Sequence, residues 1–354
     1  MSGSSLDGLD LALCTFTLDK GAARPVTQWS IEVAETIAYP ADWKDRLRQA
    51  TSGSGQTSWH LHADLGTYIG KQCRQFIERH ALRPELIGCH GHTVFHEPAN
   101  GFSVQLGDGA RIAALTGLPV VTELRSADIA AGGQGAPLAP VADHHLFPDY
   151  AAFLNLGGIA NFSLRTPDGR LLAGDVTGCC QVLDRLAALA GQPYDSGGQL
   201  ARSGQPLPRL AEQLDALPYH HQPYPKSLSN QWVIEQLWPL LAQHSGTVKD
   251  RLHTFTTWLA GKITRDMRQT GGGAAGEMKL LVSGGGARNT FLVDRFRTHL
   301  TRVSVEVAEG YVGDFKEAAL IALCALFREQ GLPNSLASAT GARHDTVNGA
   351  LHAA

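Results

Sequence analysis

Three glycine-containing turns have the composition of phosphate-binding sites. They lie at residues 2–8, 156–160 and 284–286, and the second and third follow apolar stretches that are typical of buried strands. Because glycine has no Cβ, backbone N–H groups in such turns approach an anion closely, and consecutive N–H groups bind phosphate. A single turn of this kind is more often an ordinary tight turn. Three of them together favour a nucleotide ligand.

Two common nucleotide-binding motifs do not fit the sequence. No G-x-x-x-x-G-K-[ST] is present, so the chain is not a P-loop protein. No G-x-G-x-x-G opens a helix after a strand, which argues against dinucleotide redox chemistry.

A histidine motif, H-x-H-x3-H, is formed by His90, His92 and His96. Imidazole groups bind zinc in many proteins. A strand that runs into a turn with Gly91 and Thr93 suits a polar sugar site equally well.

The apolar pattern alternates between strands and helices. Stretches at residues 9–16 and 29–36 predict a hairpin, and apolar residues spaced three and four apart predict a helix over residues 61–77. A strand at residues 86–89 and further alternating elements follow. Such alternation is typical of an α/β fold.

Residues 151–173 predict the same order of strands and turns as the opening segment of the chain, with one additional strand at the start. They predict strand, glycine turn, strand, turn and strand, whereas the first forty residues lack the first strand of this order. We therefore expect two copies of one unit, with domains over residues 1–148 and 149–329 and a tail of about residues 330–354 that packs on the first. We also expect a strand of about six to eight residues to precede Met1.

Composition limits the partners of the protein. The 354 residues are 43% hydrophobic and 18% charged, with a formal net charge of -3 and no cluster of basic residues. This composition indicates a globular protein that binds small molecules and not nucleic acid. Because no apolar run approaches the roughly 20 residues that span a bilayer, we expect no membrane association and a cytoplasmic location.

Longer strings of sequence narrow the choice further. They are MSGSSLDGLD (residues 1–10), GCHGHTVFHEP (88–98), LGDGARIAALTGLPVV (106–121), GGQGAPLAP (132–140), LNLGGIANFS (154–163), SGGGARN (283–289) and GDFKEA (313–318). Together, and in this order, these strings resemble the 1,6-anhydro-N-acetylmuramic acid kinase family of the actin, hexokinase and Hsp70 superfamily.

The resemblance implies a fold and a reaction. The fold is α/β, with two duplicated ribonuclease-H-like domains, an interdomain cleft and the first strand of the N-terminal domain missing. The reaction uses ATP and Mg²⁺ to open the anhydro bridge and phosphorylate O6, giving N-acetylmuramic acid 6-phosphate and ADP in peptidoglycan recycling. The family also implies a homodimer.

The resemblance further implies roles for individual residues. Asp175 falls at the position of the general base, Asp7 and Asp10 would hold magnesium directly or through water, and Arg125 is our candidate for the lactyl carboxylate. Asp7 is alternatively a turn-stabilising residue. The remaining expected nucleotide-binding residues are Gly3, Ser4, Ser5, Leu6, Gly8, Leu9, Gly157, Gly158, Asn161, Gly284, Gly285, Gly286 and Asn289, and the remaining sugar-binding residues are His90, His92, Thr93 and Glu317.

Two segments depart from the family pattern. After Asp175 the usual D-T-G-P-G-N reads D-V-T-G-C-C, with Gln181 next, so an expected amide side chain is Cys180. After Pro225-Lys226-Ser227 the usual T-G-R-E is replaced by Leu-Ser-Asn-Gln at residues 228–231. These changes leave a non-catalytic paralogue that binds a sugar or nucleotide as an alternative. A third alternative is an Hsp70-like ATPase or another sugar kinase of the superfamily.

Overall fold

The computed structural model describes residues 1–2, 6, 8–22, 24–166, 168–271 and 278–354. Four of the expected nucleotide-binding residues, Gly3, Ser4, Ser5 and Asp7, lie outside the described residues. One of them, Asp7, is also an expected magnesium ligand.

Strands are distributed along the whole described chain. They are β1 (Gly8–Leu18), β2 (Val26–Ala38), β3 (Ile87–Gly88), β4 (His92–Glu97), β5 (Phe102–Leu106), β6 (Val120–Thr122), β7 (Ala152–Leu156), β8 (Ile159–Arg165), β9 (Leu171–Gly178), β10 (Met278–Ser283), β11 (Val303–Val307) and β12 (Ala350–His352).

Helices alternate with these strands, as the sequence predicts for a mixed α/β protein. Among the described residues, no helix has the length and apolar character needed to cross a membrane. The helices are α1 (Ala41–Arg48), α2 (Gly55–Arg79), α3 (Gly109–Thr116), α4 (Ser126–Ala130), α5 (Ala139–Leu146), α6 (Cys180–Ala188), α7 (Gln199–Arg202), α8 (Pro208–Asp215), α9 (Asn230–Trp232), α10 (Trp238–Ala242), α11 (Val248–Gly271), α12 (Thr290–His299), α13 (Gly310–Gln330) and α14 (Ala337–Thr340).

The chain divides into two compact units. Unit 1 contains Met1–Phe147 and Phe315–Ala354, and unit 2 contains Pro148–Asp314. Residues 315–329, which the sequence assigns to the second domain, therefore lie in unit 1. The reason is close packing of α13, because a Cβ on Gly88 would lie only 2.5 Å from the carbonyl oxygen of Ile321.

Unit 2 is built on one five-stranded sheet in the order β11-β10-β7-β8-β9. β7, β10 and β11 are parallel, while β8 and β9 are added as antiparallel neighbours. The long helix α11 covers this sheet with buried side chains spaced three and four residues apart, at Phe255, Leu259 and Ile263. This sheet carries the expected base and two of the glycine turns.

Unit 1 has a less continuous sheet structure. β1 and β2 form a hairpin, β12, β6 and β3 form a three-stranded sheet in that order, and β4 pairs with β5. A cavity of about 360 Å³ is lined by residues from β1 and β3. In the sheet of unit 2, β7 lies between the β8–β9 hairpin and the parallel strands β10 and β11. The strand expected before Met1 stays a prediction.

Two elements differ from the sequence prediction. The strand predicted at residues 171–173 extends to Gly178, because β8 continues to pair with it as far as Ile159 opposite Gly178. Asp175 therefore lies within a strand, two residues beyond the predicted end of that strand. The histidine motif likewise enters a strand, since β4 starts at His92 and pairs with β5.

Asp128 ties the C-terminal segment to the rest of unit 1. Its fully buried carboxylate accepts hydrogen bonds from the Ser335 hydroxyl (2.8 Å), the Thr340 hydroxyl (2.7 Å) and the Gly135 N–H (2.7 Å). Its backbone N–H donates to the side-chain oxygen of Asn348 (2.9 Å). A buried charge with this many donors stabilises the docked tail.

Replacing Asp128 by alanine is expected to lower the free energy of unfolding by about 3 kcal/mol or more, because three buried donors lose their acceptor. Urea denaturation checks this value. Asp45→Ala is the control, since Asp45 pairs with Arg48 on the surface, where an ion pair contributes about 0–1 kcal/mol. Equal losses for the two variants would contradict the role of Asp128.

Candidate active site

The two glycine turns of unit 2 lie side by side. β7 ends at Leu156 and its parallel neighbour β10 ends at Ser283, so the two turns start at the same edge of the sheet. Gly284 has φ 86°, and a Cβ there would lie 2.9 Å from the carbonyl oxygen of Leu156. A Cβ on Gly286 would lie 2.8 Å from the Leu156 Cβ. Glycine is therefore needed for the second turn to pack on the first.

The same turns leave open space beside other glycines. A Cβ on Gly285 would meet no atom of the described residues within 4 Å. On Gly158 the nearest atom would be the Gln181 Nε2 at 3.9 Å, and on Gly157 it would be the Ile159 carbonyl oxygen at 3.6 Å. Open backbone next to two glycine turns fits the requirements of a phosphate or nucleoside group.

Asn289 has a structural function at this edge. Its side-chain oxygen accepts a hydrogen bond from the Leu292 N–H (3.1 Å) and caps α12. A nucleotide contact, which the sequence predicts for Asn289, would have to be made alongside this cap.

Asp175 belongs to a row of polar side chains across three strands. Asn155 of β7 lies opposite Asn161 of β8, and Asn161 lies opposite Asp175 of β9. Directly opposed residues in antiparallel strands place their side chains on the same face. All three residues are half-buried. Two strand spacings separate Asp175 from Asn155, about 10 Å, so the carboxylate lies near the edge where the turns begin.

The Asp175 carboxylate is held by a distant segment of chain. Its Oδ2 accepts a hydrogen bond from the Leu228 N–H (2.8 Å), and its backbone N–H donates to the Lys226 carbonyl (2.9 Å). The Tyr219 hydroxyl donates to the Asp175 carbonyl (2.9 Å). Burial raises the pKa of Asp175 to about 6, although the Leu228 N–H and the charge of Lys226 act in the opposite direction. Such a carboxylate is ionised at neutral pH and accepts a proton more readily than an ordinary aspartate.

The two segments that depart from the family pattern contact each other. The Gln181 side-chain amide donates to the Asn230 side-chain oxygen (3.1 Å). Cys180 donates its thiol to the Leu156 carbonyl (3.2 Å) and its N–H to the Gly157 carbonyl (3.0 Å). An amide side chain is therefore retained next to the glycine turn, one residue later than the family pattern places it.

In unit 1, His90 and Arg125 form one hydrogen-bonded group. The Arg125 guanidinium donates from Nε (3.2 Å) and Nη2 (2.9 Å) to the His90 Nε2, and from Nη1 to the Gly135 carbonyl (2.7 Å). Because Nε2 accepts, the His90 proton is on Nδ1, which donates to the Gly91 carbonyl (3.1 Å). Burial, followed by the Arg125 charge, lowers the pKa of His90 to about 3, so the imidazole is neutral.

The other expected sugar-binding residues near His90 have different surroundings. His92 is buried, and within the described chain its Nδ1 has no hydrogen-bond partner. The Thr93 hydroxyl accepts a hydrogen bond from Gln105 (3.3 Å). His96, the third member of the histidine motif and not an expected sugar-binding residue, lies exposed near the far end of β4 and contacts Ser103. In the ranges that the structure describes, no three His, Cys, Asp or Glu side chains are grouped to hold a metal ion.

The described residues of the first glycine turn also belong to unit 1. Asp10 is half-buried, and its Oδ1 accepts a hydrogen bond from the Thr36 hydroxyl (2.6 Å). Leu6 and Leu9 are buried in the core, and a Cβ on Gly8 would lie 2.7 Å from the Ile37 carbonyl oxygen. These three residues thus pack the turn and expose no side chain for a ligand.

Glu317 lies close to this group, on α13. Its side chain reaches solvent. The surrounding protein partly desolvates the carboxyl group, and this desolvation, followed by the charge of Asp10, raises the pKa of Glu317. The charge of Arg125 acts in the opposite direction. Unit 1 therefore brings together Asp10, Glu317, Arg125 and His90.

Sequence reasoning missed two sets of residues. The first is Asn155, which lies opposite Asn161. Because side chains alternate between the two faces of a sheet along β7, the sequence could have shown which face Asn155 occupies. Tyr219, Lys226 and Leu228 hold Asp175, but they lie more than forty residues away in sequence and have no pattern that links them to it.

Comparisons with solved structures give distant similarities. The activator of the 2-hydroxyisocaproyl-CoA dehydratase from Clostridium difficile, with bound ADPNP, is 15% identical over 65% of this chain and 86% of that chain, with a TM-score of 0.37. The xylulose kinase from Rhodospirillum rubrum is 16% identical over 88% of this chain and 72% of that chain, with a TM-score of 0.34. Ethanolamine utilization protein EutJ from Carboxydothermus hydrogenoformans is 14% identical over 82% and 79%, with a TM-score of 0.37.

The comparison with protein-family models gives a match over the full length of the chain. The model of the anhydro-N-acetylmuramic acid kinase family matches residues 1–354, which is the whole chain. The protein therefore belongs to the anhydro-N-acetylmuramic acid kinase family.

Proposed function

We propose that the protein opens 1,6-anhydro-N-acetylmuramic acid with water and phosphorylates O6 with ATP, in the recycling of peptidoglycan. Membership of the family over residues 1–354 supports this reaction. The structural observation that carries the proposal is the half-buried Asp175 carboxylate, with a pKa of about 6, on the sheet that also bears two open glycine turns. A base of this kind is what the hydrolytic step requires.

In the proposed reaction Asp175 accepts a proton from water as the water oxygen bonds to C1 of the sugar. The bond between C1 and the bridging O6 breaks, and O6 forms a bond to the γ-phosphorus of ATP. The bond between that phosphorus and the β,γ-bridging oxygen breaks, which releases ADP. The products are N-acetylmuramic acid 6-phosphate, ADP and one proton, which Asp175 returns to solvent.

The nucleotide would be bound mainly by backbone groups. N–H groups at Gly157 and Gly158 would donate to phosphate oxygens, and the open face at Gly285 leaves room for the nucleoside. Mg²⁺ would neutralise charge on the transferring phosphoryl group when it is bound. Asp10 offers the carboxylate oxygen that this ion prefers, and Asp7 is the second candidate ligand.

The sugar would be bound by polar groups of unit 1. Arg125 uses three of its five N–H groups within the described chain, which leaves two for the lactyl carboxylate. A sugar hydroxyl would give the buried His92 Nδ1 the partner that it lacks among the described residues. Thr93 and Glu317 are further candidates for hydroxyl groups.

A direct assay tests the proposed reaction. The full-length protein is incubated with ATP, Mg²⁺ and anhydro-N-acetylmuramic acid, and ADP and the phosphosugar are measured together. We expect both products in equal amounts and no ADP without sugar. Sugar binding without turnover would support the non-catalytic alternative. ADP formation without sugar, or with an unrelated hexose, would support an Hsp70-like ATPase or another sugar kinase.

The pH dependence of the reaction should report Asp175. The base must be ionised, so kcat/KM is expected to fall below about pH 6, approaching tenfold per pH unit as Asp175 becomes protonated. Burial also raises the pKa of Asp184 to about 6, so Asp184→Asn is the control. If that variant loses the acid limb, Asp175 is not the group that titrates.

A further inference from the structure

Unit 2 contains a polar cavity that the proposed reaction does not use. It has a volume of about 550 Å³ and is lined by the loop that contains His220, Tyr224 and Lys226, and by Lys262, Arg265 and Asp266 of α11. Small-molecule sites have volumes of roughly 300–1,000 Å³. The cavity is therefore large enough for a small metabolite.

Among the described residues, Lys226 is the cation of this cavity that has no carboxylate partner. Its Nζ donates one hydrogen bond, to the Tyr219 carbonyl (3.1 Å), and lies 4.6 Å from the ring centres of both Tyr219 and Tyr224. Within the part of the chain that the structure describes, no Asp or Glu forms an ion pair with it. Because an ammonium group has three N–H donors, two remain for a ligand.

The carboxylates of the cavity are committed to other donors. Asp266 accepts from Lys262 (2.6 Å) through Oδ1 and from the Tyr224 hydroxyl (2.7 Å) through Oδ2. Asp215 accepts from Arg265 (2.7 Å) through Oδ1. Three cations, Lys226, Lys262 and Arg265, thus face two carboxylates, which leaves one positive charge.

The remaining ionisable groups of the cavity do not cancel this charge. Asp175 also acts on the charge of Lys226, but it does not line the cavity, and no ion pair joins the two in the described chain. Burial lowers the pKa of His220 to about 4, so it is neutral at pH 7. Burial also raises the pKa of Tyr219 and of Tyr224 above the ordinary tyrosine value, so both phenols are neutral. A partly buried, unpaired ammonium group next to neutral hydrogen-bonding groups is suited to an anionic ligand.

We propose that this cavity binds a small oxyanion of the phosphate class, with Lys226 as its direct ligand. The cavity is larger than a bare ion requires, so a phosphate monoester with a small organic group also fits. The lining of the cavity contains neither Asp175 nor the glycine turns nor the sugar-binding group. Lys226 also supports the base, because its backbone carbonyl accepts from the Asp175 N–H and its charge acts on the pKa of Asp175, so the proposal is tested by phosphate binding and not by turnover.

Equilibrium dialysis of the full-length protein against radiolabelled inorganic phosphate at pH 7 tests the site. We expect one saturable site whose affinity falls at least tenfold in Lys226→Met. Lys226→Arg should restore binding, because it restores the positive charge. Lys249→Met is the matched control, an exposed lysine on α11 that does not line the cavity, and should bind as the parent does.

The glycine turns are a competing location for phosphate, so the measurement is repeated with excess ADP. Phosphate that remains bound with ADP, and is lost in Lys226→Met, supports the cavity. Displacement by ADP, equal affinity in Lys226→Met and Lys249→Met, or no saturable binding would overturn the proposal.

The pH dependence of binding gives a second readout. Burial, followed by the neighbouring charge of Lys262, lowers the pKa of Lys226 to about 8, while Asp266 and Asp175 act in the opposite direction. Sulfate keeps its charge between pH 7 and 9, so it is the probe for this series. We expect sulfate affinity to fall as pH rises through about 8, and constant affinity in Lys226→Arg over the same range. A parent protein with constant affinity would contradict Lys226 as the ligand.

Discussion

Replacing Asp175 by asparagine is expected to lower kcat for anhydro-N-acetylmuramic acid by about 10²–10⁴-fold, the usual contribution of a general base. An amide cannot take the proton that leaves the attacking water. The fold should be retained, because the amide oxygen can still accept the hydrogen bond from the Leu228 N–H. Steady-state production of ADP and phosphosugar measures the loss.

Two controls separate a catalytic defect from a structural one. ATP affinity and thermal stability of Asp175→Asn should stay close to those of the parent. Asp168→Asn, in the turn between β8 and β9, removes a carboxylate that pairs with Arg170 on the surface and should leave turnover unchanged. Near-parental turnover in Asp175→Asn would exclude Asp175 as the base.

Gly284→Ala is expected to lower the free energy of unfolding by about 3 kcal/mol, because the substitution adds backbone strain and steric overlap. Gly284 has φ 86° and ψ 168°, a region that is essentially restricted to glycine. The added Cβ would also lie 2.5 Å from the Asn155 side-chain oxygen and 2.9 Å from the Leu156 carbonyl oxygen. Chemical denaturation measures the loss.

The neighbouring glycine gives a matched variant with the opposite outcome. A Cβ on Gly285 would meet none of the atoms that the structure describes within 4 Å, so Gly285→Ala should keep the stability of the parent. If a nucleotide occupies that open space, the variant should bind ATP about tenfold more weakly, or about 1.4 kcal/mol. Unchanged ATP affinity in a stable Gly285→Ala would place the nucleotide elsewhere.

The sequence by itself determined the α/β class, the two glycine turns of unit 2 and the family. Alternating apolar segments and glycine turns are local signals, because each depends on the periodicity or backbone freedom of a few consecutive residues. Seven strings in family order along the chain identified the family without any knowledge of contacts, and the segment that begins at Asp175 gave the expected base.

Only the tertiary structure decided where the residues around Asp175 lie. Local pattern ended the third strand of the repeat at Ala173, but pairing with β8 carries β9 through Asp175 to Gly178. The pKa of Asp175 depends on burial and on the Leu228 N–H, from a segment 53 residues away.

The compensating contact between Gln181 and Asn230 is likewise a product of folding. Each residue, considered alone, was a departure from the family pattern, and only the folded chain places the two amides 3.1 Å apart. Long-range contacts of this kind depend on how strands pair and how loops return to the sheet. No local propensity encodes these arrangements, so they could not be inferred before the fold was known.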